Sequence, residues 1–182
     1  GTNTPRHVDG MLGALQGKSK EKPKLVHRID KDTSGILVIA RTAASAKKLT
    51  ESFKKRKTNK IYWALVKGRP SQMEGVIQAP LDKEPGTRGE RMTVSDDGKR
   101  AVTDFKMMDS AAGTATWMAF RPVTGRTHQI RVHATLLGTP IVGDGKYGGK
   151  DAFIDGPVSR KLHLHARSLD IDHPDGGTLS VK

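Results

Sequence analysis

The chain has 182 residues, enough for one domain with a real core and too few for two ordinary ones. Thirty-two Lys and Arg against 19 Asp and Glu give a net charge of +13, so a long polyanion is the natural partner, and an aromatic content of 4% argues against serial base stacking. The absence of cysteine excludes a disulfide framework and thiolate zinc sites, while no run approaches the roughly 20 apolar residues of a membrane span and the opening GTNTPRHVDG has no signal-peptide core, so a cytoplasmic monomer free of membrane is expected.

Residues 1–24 are polar and rich in Gly and Lys, with GMLGALQG (10–17) offering only a short helical turn, so order is expected to begin near Leu25. SGILVIARTA (34–43) reads as a buried strand bounded by Gly35, with Thr42 placed to N-cap a following helix. In that helix Ala46, Leu49 and Phe53 recur at helical spacing, and Lys47, Lys48, Lys54, Lys55 and Lys57 occupy the rest. The basic face is either merely solvated or turned to RNA.

KIYWALVKG (60–68) and GVIQAPL (75–81) read as strands, followed by a charged loop from Asp82 to Arg100. AVTDFKMMD (101–109) and TATWMAFRPV (114–123) predict a hairpin about Ala112 and Gly113, and HLHARSLDIDHP (163–174) predicts a strand stopped by Pro174. Strands in hairpin-like pairs without a βαβ rhythm give an α+β class with a mainly antiparallel or mixed sheet.

TGRTHQIRVHATLLG (124–138) fits a strand, with Ile130, Val132 and Ala134 alternating against Gln129, Arg131 and His133. It also fits a helix N-capped by Thr127, with Ile130, Ala134 and Leu137 on one face and Gly138 ahead of Pro140; paired start and stop signals favour the helix. Arg126 and His128 then stand at a helix N-terminus suited to phosphate, and Arg131 lies one turn inside.

Signatures for nucleotide cofactors, HExxH zinc, EF-hand calcium and a serine elbow are all missing, so no cofactor and no metal is expected. His163 and His165 alternate on a strand and face opposite sides, which disfavours a metal pair. In HRIDKDTSG (27–35), Asp30 stands between Arg28 and Lys31. A carboxylate beside cations stays ionised, which suits a nucleophile or an electrostatic stabiliser; a structural cap or loop salt bridge is the plain alternative.

HRIDKDTSGILVIA, KIYWALVKG, TGRTHQIRVHA and LHLHARSLDIDHP occur in the order found in the RluA-type pseudouridine synthases, and the chain resembles that family from residue 25 onward. GERMTVSDDGKRAVTDF and GRTHQIRVHA are most similar to the RluC-like branch, which modifies 23S ribosomal RNA. The resemblance implies an α+β catalytic fold with a bent, mainly antiparallel sheet, flanking helices and a basic cleft. It implies a cofactor-independent isomerase acting on a flipped-out uridine, with Asp30, Tyr62 and Arg131 as the catalytic set and Arg131 facing Asp30. The implied substrate-binding set is His27, Arg28, Arg126, Thr127, His128, Gln129 and Leu164, with Arg28 opening the RNA, Arg126 meeting phosphate, and Tyr62 and Leu164 enclosing the base. Asp30 would attack C1′ or assist removal of the 2′ proton.

On this reading residues 1–24 are a lead-in to an incomplete catalytic domain, 25–182 are that domain, and the family's N-terminal S4 RNA-binding domain is absent. Two other classes remain open at this point: a non-catalytic basic RNA-binding module with a structural Asp30, and a metal-dependent nuclease using Asp30, Asp32 and His128. The latter lacks closely set carboxylates beside its histidines.

Overall fold

A computed structural model describes residues 7–55, 58–86 and 90–182; Lys57 and the centre of the loop expected after Asp82 lie outside them. In chain order the elements are α1 (Val8–Met11) running into a 3₁₀ turn (Leu12–Leu15), then β1 (Lys24–Leu25), β2 (Ser34–Gly35), β3 (Ile39–Ala40), α2 (Ala43–Lys54), β4 (Thr58–Lys67) and β5 (Glu74–Gln78). They continue with β6 (Leu81–Glu84), β7 (Arg91–Val94), β8 (Val102–Ala111), β9 (Ala115–Pro122), α3 (Gln129–Leu136), a 3₁₀ turn (Gly149–Ala152), β10 (Leu164–Asp172) and β11 (Thr178–Val181).

The main sheet runs β11-β10-β4-β9-β8-β5 with antiparallel neighbours, and β2 joins β10 in parallel, so the α+β class with a mixed sheet holds. The β8–β9 hairpin turns where expected: Thr114 N–H bonds to Ala111 O at 2.9 Å, and Ala112 and Gly113 both have positive φ, as a type I′ turn requires. β4 alternates across the sheet. Tyr62 packs against the core with Ala64 and Val66, while Trp63 faces outward against Trp117, their rings edge-on at 4.8 Å. The central core fills the space between this sheet face and α3, where Met118, Phe120, Ile130, Ala134, Ile141 and Leu164 meet.

Three expectations change. The stretch 34–43 is not one buried strand but two short ones, because Gly35 turns at φ +106° to bring β2 against β10; a Cβ there would stand 2.3 Å from Ala166 O. The charged stretch after Asp82 contains the β6–β7 hairpin, whose Leu81 and Met92 pack with Ala101, Val132 and Tyr147. β10 ends at Asp172, ahead of Pro174 as predicted, and β11 adds an antiparallel strand after it. Residues 7–24 are also ordered: Leu12 is fully buried, Pro23 is buried, and Glu21 Oε2 accepts from Ala43 N–H at the start of α2 at 2.6 Å.

Thr42 caps α2 as predicted, its hydroxyl accepting from Ser45 N–H at 3.1 Å while Ser45 returns the bond in a capping box. Leu49 buries against Val26, Ala40, Leu169 and Ile171, with Ala46 and Phe53 beside it. α3 forms as expected and ends on Gly138 at φ +75°, where Thr139 N–H reaches Ala134 O at 3.2 Å. Its cap moves by one residue: His128, at φ +53°, occupies that position without a side-chain capping bond, and Gln129 Oε1 accepts from Arg126 N–H at 3.0 Å.

Candidate active site

The register of the sheet decides where the aspartate goes. Tyr62 of β4 pairs with Ala166 of β10, and Ala166 pairs on its other side with Gly35 of β2. The turn that precedes β2 is thereby held beside Tyr62. In that turn Asp30 O accepts from Thr33 N–H at 2.9 Å, with Asp at the position β-turns favour. The loop is closed behind it by His27, whose Nε2 accepts from Val38 N–H at 2.8 Å and whose ring stacks on Phe53 at 4.4 Å. Burial, aided by the charge of Lys60, pushes His27 down to about 4, so the ring is neutral and free to accept.

Asp30 faces a cavity of about 360 Å³ between the 26–33 loop, β4, β10 and the start of α3. Tyr62 and Leu164 form its apolar side, and Arg28, Lys54, Lys60, Arg126 and Thr127 supply its polar rim. Burial, with the nearby Asp30 charge, pushes the Tyr62 hydroxyl up to about 12, so Tyr62 presents a neutral ring to the cavity. Leu164 is 4% exposed and belongs to the core as well as the cavity.

The partner of Asp30 is not the one expected. Arg131 turns its fork to Asp144, Nε to Oδ2 at 2.8 Å and Nη2 to Oδ1 at 2.7 Å, and lies over the Tyr147 ring with its guanidinium carbon 5.0 Å from the centroid. The Asp144 side chain is wholly buried, so it takes the bidentate donor that a buried carboxylate requires. Burial opposes the Arg131 charge, yet the bonds to Asp144 and the fields of Asp144 and Asp30 leave its pKa raised.

The charge-capable group nearest Asp30 is His128, whose Nε2 stands 3.8 Å from Asp30 Oδ1. His128 Nδ1 and Tyr147 Oη share a 2.6 Å hydrogen bond, and Tyr147 Oη accepts from Met92 N–H at 3.2 Å. A neutral imidazole that accepts from Tyr147 at Nδ1 carries its proton on Nε2, the nitrogen 3.8 Å from Asp30 Oδ1. Burial lowers the His128 pKa against the opposing pull of Asp30, in keeping with that neutral form.

Other expected site residues divide. Arg28 and Thr127 are exposed at the cavity rim, and Arg126 is half-buried with Nε bonded to Arg100 O at 3.1 Å. Gln129 is scaffold: its amide accepts from Thr124 Oγ1 and Arg126 N–H and donates to Val102 O and Thr103 Oγ1, leaving nothing for a ligand. Its side chain pins the loop that carries Arg126 and His128. Asp144, Tyr147 and Lys60 were missed. The run VGDGKYGG, an acid and a tyrosine among glycines, marked the first two, and the two-residue step from Lys60 to Tyr62 marked the third. Among the described residues no cluster of three His or carboxylate groups could hold a metal ion.

Residues 9–136 match the family described as RNA pseudouridylate synthase. The chain is 44% identical over 166 residues to an RNA pseudouridine synthase of Zymomonas mobilis, covering 90% of this chain and 74% of that one. It is 42% identical over 147 residues to ribosomal large subunit pseudouridine synthase C of Rickettsia typhi, covering 80% of this chain and 48% of the relative, so it spans about half the length of relatives of that name. Among solved structures, human RNA pseudouridylate synthase domain containing 1 superposes with a TM-score of 0.76 at 29% identity, over 87% of this chain and 67% of the other. The domain containing 4 protein gives 0.74 at 28% identity, over 96% and 76%. With a mixed sheet of this topology and four ordered motifs gathered on one cavity, the chain belongs to the RluA-type RNA pseudouridine synthases, a family of isomerases, in their RluC-like branch.

Proposed function

We propose that this chain isomerises uridine to pseudouridine in ribosomal RNA, with large-subunit (23S) RNA as its target and Asp30 as the essential carboxylate. The reaction breaks C1′–N1, turns the uracil while it is held, and forms C1′–C5. The C5 hydrogen leaves and N1 gains a proton, so no electrons are exchanged with an outside partner. The observation that carries the reading is the placement of Asp30 in a cavity flanked by Tyr62 and Leu164, with cations around its mouth. Attack on C1′ and removal of the 2′ proton both need a carboxylate at the ribose and an apolar slot that keeps the loosened base from escaping.

Arg28, exposed on the rim, is suited to displacing the target base from its stack, and Arg126 to a phosphate. Arg131, locked on Asp144, contributes through its field and by fixing α3 and Tyr147 behind His128. His128, whose Nε2 stands 3.8 Å from Asp30 Oδ1, helps to aim the carboxylate. Relatives named for the large ribosomal subunit support the choice of RNA. We further propose that the chain works as a cytoplasmic monomer and that residues 25–182 constitute its catalytic domain.

The test is release of tritium from ribosomal RNA labelled at uridine C5, which reads the departing hydrogen directly. Asp30→Asn keeps shape while removing charge, and near Arg28 and Lys31 that loss does not weaken attraction to phosphate. Tritium release should fall below detection with melting temperature and RNA affinity retained. Release at a substantial fraction of the wild-type rate would refute the carboxylate role, and tight binding without release by the wild type would make the chain an RNA-binding module.

A further inference from the structure

A second hollow of about 210 Å³ opens beside the uridine cavity, between the end of α2, β4 and the loop after β9. Lys54, Lys60 and Arg126 line both spaces, and no carboxylate lines the second. The first and last of these cations have ordinary surroundings, since Lys54 is exposed and Arg126 Nε bonds to Arg100 O. Lys60 does not. It lies two residues before Tyr62 on β4 and so projects from the same sheet face, half-buried, with Nζ 3.8 Å from the position a Cβ on Gly125 would take.

Among the described residues the Lys60 ammonium has no ion-pair partner and no hydrogen-bond acceptor. Burial pulls its pKa down, and its charge adds to the burial that keeps His27 neutral. An ammonium drawn partly out of water without a counter-ion is unfavourable until an anion reaches it. The hollow offers such an anion a place, with the side chain of Arg126 on its wall.

We propose that Lys60, together with Arg126, forms the binding site for an RNA backbone phosphate next to the flipped uridine, and that this contact sets the ribose over Asp30. The proposal rests on reading the larger cavity as the uridine site. A nucleotide turned out of its strand carries a phosphate on each side of the ribose. Because hollow and cavity share a wall, one phosphate can sit on Lys60 while the base lies against Tyr62 and Leu164. Lys60 is thus a positioning residue, and it completes its hydrogen bonds only when RNA is bound.

The first experiment follows lysine side-chain and leucine methyl signals by NMR, with Lys60 identified by loss of its signal in Lys60→Met. Uridine should move Leu164 alone, inorganic phosphate should move Lys60 alone, and uridine 3′- or 5′-monophosphate should move both. Monophosphates that shift Leu164 and leave Lys60 still would overturn the phosphate site while sparing the uridine reading. Phosphate that shifts Lys60 when uridine leaves Leu164 still would support an anion site and overturn the uridine reading instead.

The second experiment measures binding of protein-free large-subunit ribosomal RNA at several salt concentrations. Lys60→Met should weaken binding about tenfold and lower the salt slope by about one, as loss of one phosphate contact does. Its melting temperature should hold or rise, because an unpaired ammonium has been exchanged for an apolar chain of similar length. Unchanged affinity and slope would overturn the proposal, as would a fall in melting temperature without any loss of RNA binding.

Discussion

His27 shows how a residue with obvious chemistry serves structure. Its motif position suggested substrate contact, yet its Nε2 is occupied by Val38 N–H and its ring by Phe53, which closes the loop behind Asp30. Protonation would remove the acceptor. With a folded pKa of about 4 against 6.5 for the free side chain, the unfolded chain takes up the proton first as pH falls. The stability from neutral His27 is therefore complete above pH 6.5 and disappears as pH drops from there through about 4, a loss of at most about 3 kcal/mol before allowance for partial exposure. Gln at this position keeps an acceptor without titrating. Melting curves between neutral pH and 4 should show the wild type falling more steeply than His27→Gln, and parallel curves would remove His27 as the cause.

At the scale of elements, what the sequence revealed follows how local each determinant is. Thr42 and Ser45 lie three residues apart and hold their own cap; Ala112 and Gly113 make their turn without distant help; both were readable. Gly35 misled because its conformation answers to Ala166, whose carbonyl leaves no room for a Cβ and which is far away in the chain. Arg131 was placed in the right cavity by its motif and given the wrong partner, since Asp144 stands in a loop whose path is set by Gly143; a Cβ there would fall 1.9 Å from Lys161 O. The lead-in was misread for a related reason: one buried side chain among exposed neighbours, the apolar Met11 and Leu15 included, has no periodicity to betray it. Leu12 is fully buried in its 3₁₀ turn, so Leu12→Ala should cost about 2–4 kcal/mol in urea denaturation, as truncation of a packed leucine does. A change under about 0.5 kcal/mol, the size usual for surface substitutions, would return residues 1–24 to the role of a lead-in.

For the whole molecule, the net charge of +13 says that RNA binding will weaken with salt, but not which cations carry the effect. α2 separates them. Lys55 pairs with Glu51 at 2.6 Å, and Lys48 donates to Pro174 O at 2.7 Å, so both have neighbours of their own. Lys47 is exposed and does not line the Asp30 cavity, whereas Lys54 stands on the wall of both that cavity and the hollow beside it. A contact between α2 and RNA is thus expected at the turn that carries Lys54, and a merely solvated side chain at Lys47. Counterion release gives the test a scale: each phosphate contact contributes about 0.7 to the salt slope on single strands and about 0.9 on duplex. Lys54→Gln should lower the slope of log affinity against log salt by about that amount, while Lys47→Gln leaves it nearly unchanged. Both substitutions remove one unit from the same net charge, so long-range attraction falls equally and any difference between them is contact. Equal slopes for the two variants would mean that RNA responds to the overall field and that α2 does not border its path.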